Sequence, residues 1–242
     1  MLSGVSSSAS ALTALQTRLA ATANNVANSL TPGFKSRRVQ ISEAAGASPN
    51  GGAVAASVTT DFSQGPISPT GNPLDFASGG AGFFSVQMPD GSQALTRSGN
   101  FRISADGQVT TADGFPVNGF PPVPAGTISV EVSQDGSGRY ITAGGDVAFT
   151  VELSRVQNPQ GLRSLGGGLF GPTPASGAVE NGAASLPGNG PVLTSALELS
   201  NVDLVEQMVN LIEVKAAYTA NLRAIQTADE VAASLKTLFE RR

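Results

Sequence analysis

The chain has 242 residues, a net charge of −4, and no Cys, His or Trp. Without His and Cys it has no Ser-His-Asp triad, no Cys-His dyad, no His-bearing zinc site and no disulfide. Gly and Pro make up about 18% of it, above the usual ~12% but below the ~25–30% of disordered sequence, and 13% is charged against a usual ~25%. Turn-rich folded structure follows, with a low-charge surface suited to extensive subunit contact.

The charge is uneven. Residues 1–60 hold four basic side chains against Glu43, a net of +3. Residues 61–198 hold 5 basic and 11 acidic side chains, a net of −6, and residues 199–242 hold 5 and 6, a net of −1. No basic stripe of the kind nucleic acid requires is present, so no nucleic-acid partner is expected. No apolar run of ~18 residues occurs, so no membrane insertion is expected. The first basic residue is Arg18, and no apolar h-region follows a positive start. Export without a cleaved Sec signal is the expectation.

In chain order, residues from about Leu2 to Leu30 read as a helix. Val5, Ala9, Leu12, Leu15, Leu19, Ala23, Val26 and Leu30 recur at steps of three or four and form one apolar stripe. Ser3 is the candidate N-cap, and Pro32 ends the helix at or before Leu30. Asn24, Asn25 and Asn28 sit near that end, where their amides compete for backbone groups. Residues 35–56 start basic, with Lys35, Arg37 and Arg38, and become Gly/Ala/Ser-rich. They read as a connector, either extended or a long surface loop. The basic patch is a solvated loop or pairs with acidic groups of a neighbour.

Residues 57–165 read as an antiparallel β domain. Short alternating runs (83–88, 101–104, 108–110, 127–132, 140–142, 147–153) are punctuated by Asp90-Gly91, Asp106-Gly107, Asp113-Gly114 and Asp135-Gly136, the favoured hairpin dipeptide. Phe62, Phe76, Phe83, Phe84, Phe101, Phe115, Phe120 and Phe149 are its core candidates. Residues 166–196, opening on a Gly triplet, read as a return connector.

Within 197–242 a second helix, from about Asn201 to Phe239, carries two apolar rows. One runs through Leu204, Met208, Leu211, Tyr218, Leu222 and Ile225, with Lys215 breaking the spacing, and shifts to reach Leu235. The other runs Val205, Val209, Ile212, Ala216. One row makes a two-helix seam, whereas two make a wide face for more than one partner. A helix of ~38 residues is ~57 Å long, and the ~27-residue N-terminal helix, at ~40 Å, does not cover it. The surplus apolar surface implies other subunits; the alternative is an ordinary helical hairpin burying one face.

No catalytic, cofactor-binding or metal-binding residues are assigned, and no cofactor. The Asp-Gly pairs lack the calcium-loop pattern, the Gly triplet lacks the Lys and Ser/Thr of a phosphate loop, and no aromatic sugar platform accompanies the carboxylates.

Three blocks carry a family resemblance. The first is Ala23-Asn24-Asn25-Val26-Ala27-Asn28 with Thr31-Pro32-Gly33-Phe34-Lys35. The second is Thr70-Gly71-Asn72-Pro73-Leu74-Asp75, Gly82-Phe83-Phe84, and Thr96-Arg97-Ser98-Gly99-Asn100-Phe101. The third is Leu197-Glu198-Leu199-Ser200-Asn201-Val202-Asp203-Leu204, with Ala217-Tyr218 and Ile225-Gln226-Thr227-Ala228-Asp229-Glu230. In this order they resemble the axial proteins of the bacterial flagellum, the rod and hook family. About half the chain is covered.

The resemblance implies an α+β fold. The N- and C-terminal helices (1–34 and 197–242) pair as a coiled-coil inner domain beneath an outer antiparallel, mainly β domain. It implies a structural, non-enzymatic subunit of the basal-body rod, distal-rod-like in size, forming a homo-oligomer in a helical tube that spans the periplasm. The implied partners are other rod and hook proteins, the flagellar type III export apparatus and the P- and L-ring bushing. Inner-domain contacts between subunits are then expected at Leu12, Leu15, Leu19, Asn24, Asn25, Val26, Asn28, Val205, Met208, Val209, Leu211, Ile212, Tyr218, Leu222, Ile225 and Leu235. Connector contacts are expected at Phe34, Lys35, Arg37 and Arg38. Residues 36–60 are short for a distal rod protein, and the family's Gln-Arg-Ala-Tyr-Glu run is here Val214-Lys215-Ala216-Ala217-Tyr218-Thr219, without the Arg and the acid. A larger proximal rod or short hook-type protein is the alternative within the family. Outside it stand a monomeric secreted β-domain adhesin with a helical stalk and a peptidoglycan hydrolase.

Overall fold

The computed structural model describes residues 2–43, 53–184 and 188–240. The fold is α+β, with one helix near each end and antiparallel strand pairs between them. The chain divides into two units, one drawn from residues 1–29, 36–61 and 202–242, the other from 30–35 and 62–201.

The helical unit holds α1 (Leu2–Ala27), a hairpin of β1 (Arg37–Glu43) and β2 (Ala53–Thr60), and α2 (Leu204–Glu240). α1 begins at Leu2, so Ser3 lies inside the helix rather than at its cap. The Asn28 amide donates back to the Asn24 carbonyl at 2.9 Å and the Ser29 hydroxyl to the Val26 carbonyl at 2.9 Å. The same two carbonyls also accept backbone N–H groups, Asn28 to Asn24 at 3.1 Å and Ser29 to Val26 at 3.3 Å, so side chain and backbone together close the last turn. At the start of α2, Asp203 Oδ1 accepts from the Val205 and Glu206 backbone N–H groups at 2.8 and 3.1 Å. That satisfies two of the four free amides of the first turn.

The hairpin corrects the reading of 35–56 as a connector. Arg37 pairs with Thr60 and Glu43 with Ala53, with a bulge between Gln40 and Ile41. β2 is rich in Ala, Ser and Thr, a weak strand pattern, and the alternating Val39 and Ile41 of β1 are too few to stand out beside it. It also moves the start of the β unit from 57 to 62.

The β unit takes its strands in chain order. They are β3 (Ile67–Pro69), β4 (Phe76–Ser78), β5 (Phe84–Gln87), β6 (Gln93–Thr96), β7 (Arg102–Ile103), β8 (Val109–Thr110), β9 (Thr127–Val132), β10 (Ser137–Thr142), β11 (Gly145–Thr150) and β12 (Glu152–Arg155). β13 (Arg163–Gly166), β14 (Leu169–Gly171), β15 (Glu180–Ala183), β16 (Val192–Thr194) and β17 (Ala196–Glu198) follow. Asp90-Gly91 joins β5 to β6, Asp106-Gly107 joins β7 to β8, and Asp135-Gly136 joins β9 to β10, each with its Gly at positive φ. The hairpins read from these dipeptides are present.

The segment 166–196 is not a connector. β14 pairs with β6, β15 with β12, β16 with β4 and, just beyond, β17 with β3. This stretch closes four sheets opened by strands far earlier in the chain, a long-range pairing that local composition does not register.

Two apolar clusters fill the unit. The larger gathers Phe76, Phe84, Val86, Phe101, Tyr140, Phe149, Val151 and Leu153, with Phe115 and Phe120 packed against it. The smaller is Phe83, Leu95, Val156 and Phe170, joined by Phe62. All eight phenylalanines expected in the core are there. Edge-to-face pairs such as Phe84–Phe101, 5.2 Å between centroids, add ~0.5–1.5 kcal/mol each beyond area burial.

Candidate subunit interface

In the helical unit the buried line of α1 is Ala14, Leu15, Ala21, Thr22 and Asn25. That of α2 is Gln207 and Val214, with Asn210, Ala217, Tyr218 and Asn221 half-buried. Arg18 spans the helices, donating to Asn210 Oδ1 at 2.8 Å and pairing with Glu213 at 3.3 Å. The Asn25 side chain acts like a strand residue. Its Nδ2 donates to the Arg37 carbonyl at 2.8 Å, its Oδ1 accepts the Arg37 N–H at 2.9 Å, and Nδ2 also reaches Gln207 Oε1 at 3.0 Å. One buried amide thereby joins α1, β1 and α2.

Apart from Leu15 and Val214 the buried seam is built from small and polar side chains, so most of the large apolar residues on these helices are left outside it. Of the expected contact residues, Leu15 and Asn25 are buried, and Leu12, Asn24, Val26, Asn28, Tyr218 and Ile225 are half-buried. Leu19, Leu211 and Leu222 are exposed, and Val205, Met208, Val209 and Ile212 are exposed at 72, 53, 51 and 68%. Leu235 falls outside the described side chains. The face made by these last four α2 residues is apolar, contiguous along the helix and uncovered among the described residues.

The connector residues separate. Arg37 is half-buried; Arg38 is exposed, 3.8 Å from Asp61. Phe34 and Lys35 are buried in the β unit, so Lys35 is not a solvated contact for a neighbour. Its Nζ donates to Glu198 Oε1 and to the Ser63 carbonyl, both at 2.6 Å, and both ion-pair side chains are fully buried. Glu198 Oε1 also accepts the Gly65 N–H at 2.8 Å, and Oε2 lies 3.5 Å from Arg97 Nη1. Arg97 Nη1 donates to the Gly80 carbonyl at 2.6 Å, and its guanidinium stacks 4.6 Å over the Phe83 ring. Burial holds this guanidinium below its ordinary value, and the Glu198 carboxylate opposes that shift.

This cluster fastens the strand that enters the β unit to the strand that leaves it. The Gly33 N–H donates to the Glu198 carbonyl at 2.7 Å and the Leu199 N–H to the Pro66 carbonyl at 2.8 Å. Gly33 has φ +67, and a Cβ there would run into the Arg97–Ser98 peptide; one at Gly65 would run into the Leu199 carbonyl. Both positions therefore need glycine. Arg97 and Glu198 stand inside the family motifs, where the residue pattern alone assigns them no role. The available signal was charge embedded in otherwise apolar strand ends, where burial demands a partner.

Among the described residues no group of acidic or metal-ligating side chains fit for a metal ion occurs, and no helix is long and apolar enough to cross a membrane.

Comparison with known proteins gives the same three blocks. The family model described as Flagella basal body rod protein matches residues 6–35, which hold Lys35. The Flagellar hook protein FlgE/F/G D1 domain matches 77–139, which hold Arg97, and the Flagellar basal body rod FlgEFG protein C-terminal matches 193–238, which hold Glu198. The chain is 34% identical to the flagellar basal-body rod protein FlgG of Agrobacterium fabrum, with 93% of this chain and 94% of that protein covered. It is 31% identical to FlgG of Bacillus subtilis over 98% and 99% of the two chains. Against the flagellar hook protein FlgE of Salmonella typhimurium it is 30% identical over 76% of its length but only 44% of the hook protein's. With likeness to rod proteins running nearly end to end, the chain belongs to the flagellar basal-body rod protein family that includes FlgG.

Proposed function

We propose that the chain is a structural subunit of the flagellar basal-body rod, distal-rod-like, that polymerises helically into a hollow shaft. The shaft transmits torque and passes exported subunits through its channel. The observation that carries this reading is the uncovered apolar face of α2 at Val205, Met208, Val209 and Ile212. Fully burying such a side chain is worth ~1.5–3 kcal/mol, so repeated copies along a shaft gain cohesion that one chain lacks.

In this reading α1 and α2 form a coiled-coil inner domain lining the tube and the β unit faces outward. Other axial proteins of the flagellum adjoin it, the P- and L-ring bushing surrounds it, and the flagellar type III apparatus exports it. The chemistry is mechanical rather than catalytic, in keeping with relatives named as rod proteins. Electron microscopy of the concentrated full-length chain tests the reading. Straight hollow tubes are the expected product. A chain that stays monomeric at every concentration, alone and on preassembled rod of its relatives, overturns it.

A further inference from the structure

The Lys35–Arg97–Glu198 cluster is out of balance, with two buried cations sharing one carboxylate. Lys35 holds the short contact, at 2.6 Å, and Arg97 the long one, at 3.5 Å. Arg97 is only 3% exposed, and both of its hydrogen bonds leave from Nη1. Its Nε is buried and meets no acceptor among the described residues. Arg97 also lines a cavity of about 220 Å³, with Phe62, Gln64, Gly80, Ala81, Phe83 and Pro159. Ala81 is exposed and marks the mouth. The apolar rings lower the local dielectric, which makes an under-paired cation a strong attractor for an anion.

We propose that this cavity is a carboxylate-binding site, with the Nε–Nη2 edge of Arg97 as its recognition group. That edge is the planar fork that takes a carboxylate side-on with two parallel hydrogen bonds, while Nη1 stays on Gly80 and Glu198. The volume suits one acidic side chain or a small free acid. A bound carboxylate brings the cluster to two cations and two anions. The group comes from solution or from an acidic side chain of another copy of the chain, whose residues 61–198 carry the acidic excess.

The test follows the Arg97 Nε–H resonance by NMR of the full-length chain. In one arm the dilute chain is titrated with sodium acetate against sodium chloride at matched ionic strength. A saturable shift with acetate alone means the site takes a free carboxylate. In the other arm assembled material is prepared without added organic acid and read by solid-state NMR. The same shift there means a neighbouring copy supplies the group. Ala81→Trp closes the mouth without touching the ion cluster, and it is expected to abolish the shift while the far-ultraviolet circular dichroism stays unchanged. Arg97→Lys, which keeps the charge but loses the fork, is expected to weaken the acetate effect on thermal stability at least tenfold in concentration. No saturable shift in either arm overturns the proposal, as does a shift that survives Ala81→Trp. Tubes that form normally with the Arg97 signal unmoved refute this site while leaving the rod function standing.

Discussion

Glu198 is the residue on which the β unit closes, because its carboxylate is the acid that Lys35 and Arg97 share. Glu198→Gln removes that charge and strands two buried cations. It is expected to cost ~3–5 kcal/mol, read as a lower urea midpoint. Adding Lys35→Met to Glu198→Gln is expected to restore part of the loss, since an apolar side chain has no charge to desolvate. Asn25 carries a comparable load in the helical unit. Asn25→Ala removes both hydrogen bonds to the Arg37 backbone, each worth ~0.5–1.5 kcal/mol, so the helical signal should melt at a lower temperature. Tyr140 is a titration marker for the larger core. Burial pushes its phenol up to about 12, and its hydroxyl donates to the Pro121 carbonyl at 3.1 Å. The folded value lies above the unfolded ~10, so this contribution is complete below pH ~10 and is lost as pH rises through the folded value. Phenolate absorbance should therefore appear late for this residue in the folded chain. Its ionisation at the ordinary value would mean that the core admits water there.

At the scale of elements, α2 divides its surface between two tasks. Gln207 and Val214 face the seam, while Val205, Val209 and Ile212 lie outside it. Ile212→Asp is expected to shift monomer stability by no more than ~0.5 kcal/mol, because the side chain touches little in the single chain. The same variant is expected to abolish polymer formation in sedimentation assays. Wild-type assembly by Ile212→Asp would remove this face from the interface. The helices themselves were legible in the residue pattern, since twenty or more residues at helical spacing leave little choice. Which side of each helix turns inward was not. The buried line contains Thr22, Asn25 and Gln207, and hydrophobic periodicity points away from polar residues that bury by satisfying one another. Hairpins behaved likewise. Asp90-Gly91, Asp106-Gly107 and Asp135-Gly136 named local turns correctly, because a positive-φ Gly is a local demand. The strands of 166–196 stayed hidden, because their partners lie tens to more than a hundred residues away.

For the whole molecule, chain order and unit order differ. The β unit takes residues 30–35 from one side of the hairpin and 62–201 from the other. A fragment spanning 30–201 holds Lys35, Arg97, Glu198 and both apolar clusters, and it is expected to unfold cooperatively with near-native stability. A fragment spanning 62–201 lacks Lys35 and the Gly33 hydrogen bond, leaves Arg97 and the Gly65 N–H to the Glu198 carboxylate, and should unfold at a lower urea midpoint. Equal urea midpoints for the two fragments would show that residues 30–35 contribute nothing.

Residue types and their spacing alone were enough to establish two terminal helices, a turn-rich β middle, a phenylalanine core and a surplus of apolar helix surface, along with the flagellar resemblance. Each of these rests on local periodicity, on turn chemistry or on a motif that stays legible within a short window. Tertiary structure decided the rest: the inward face of α1 and α2, the β1–β2 hairpin in place of a connector, the closing strands of 166–196, and the burial of Lys35 against Glu198. The physical reason is the same throughout. Backbone pairing and charge pairing join groups that sequence places far apart, and Lys35 and Glu198, 163 positions apart, carry no local trace of the bond.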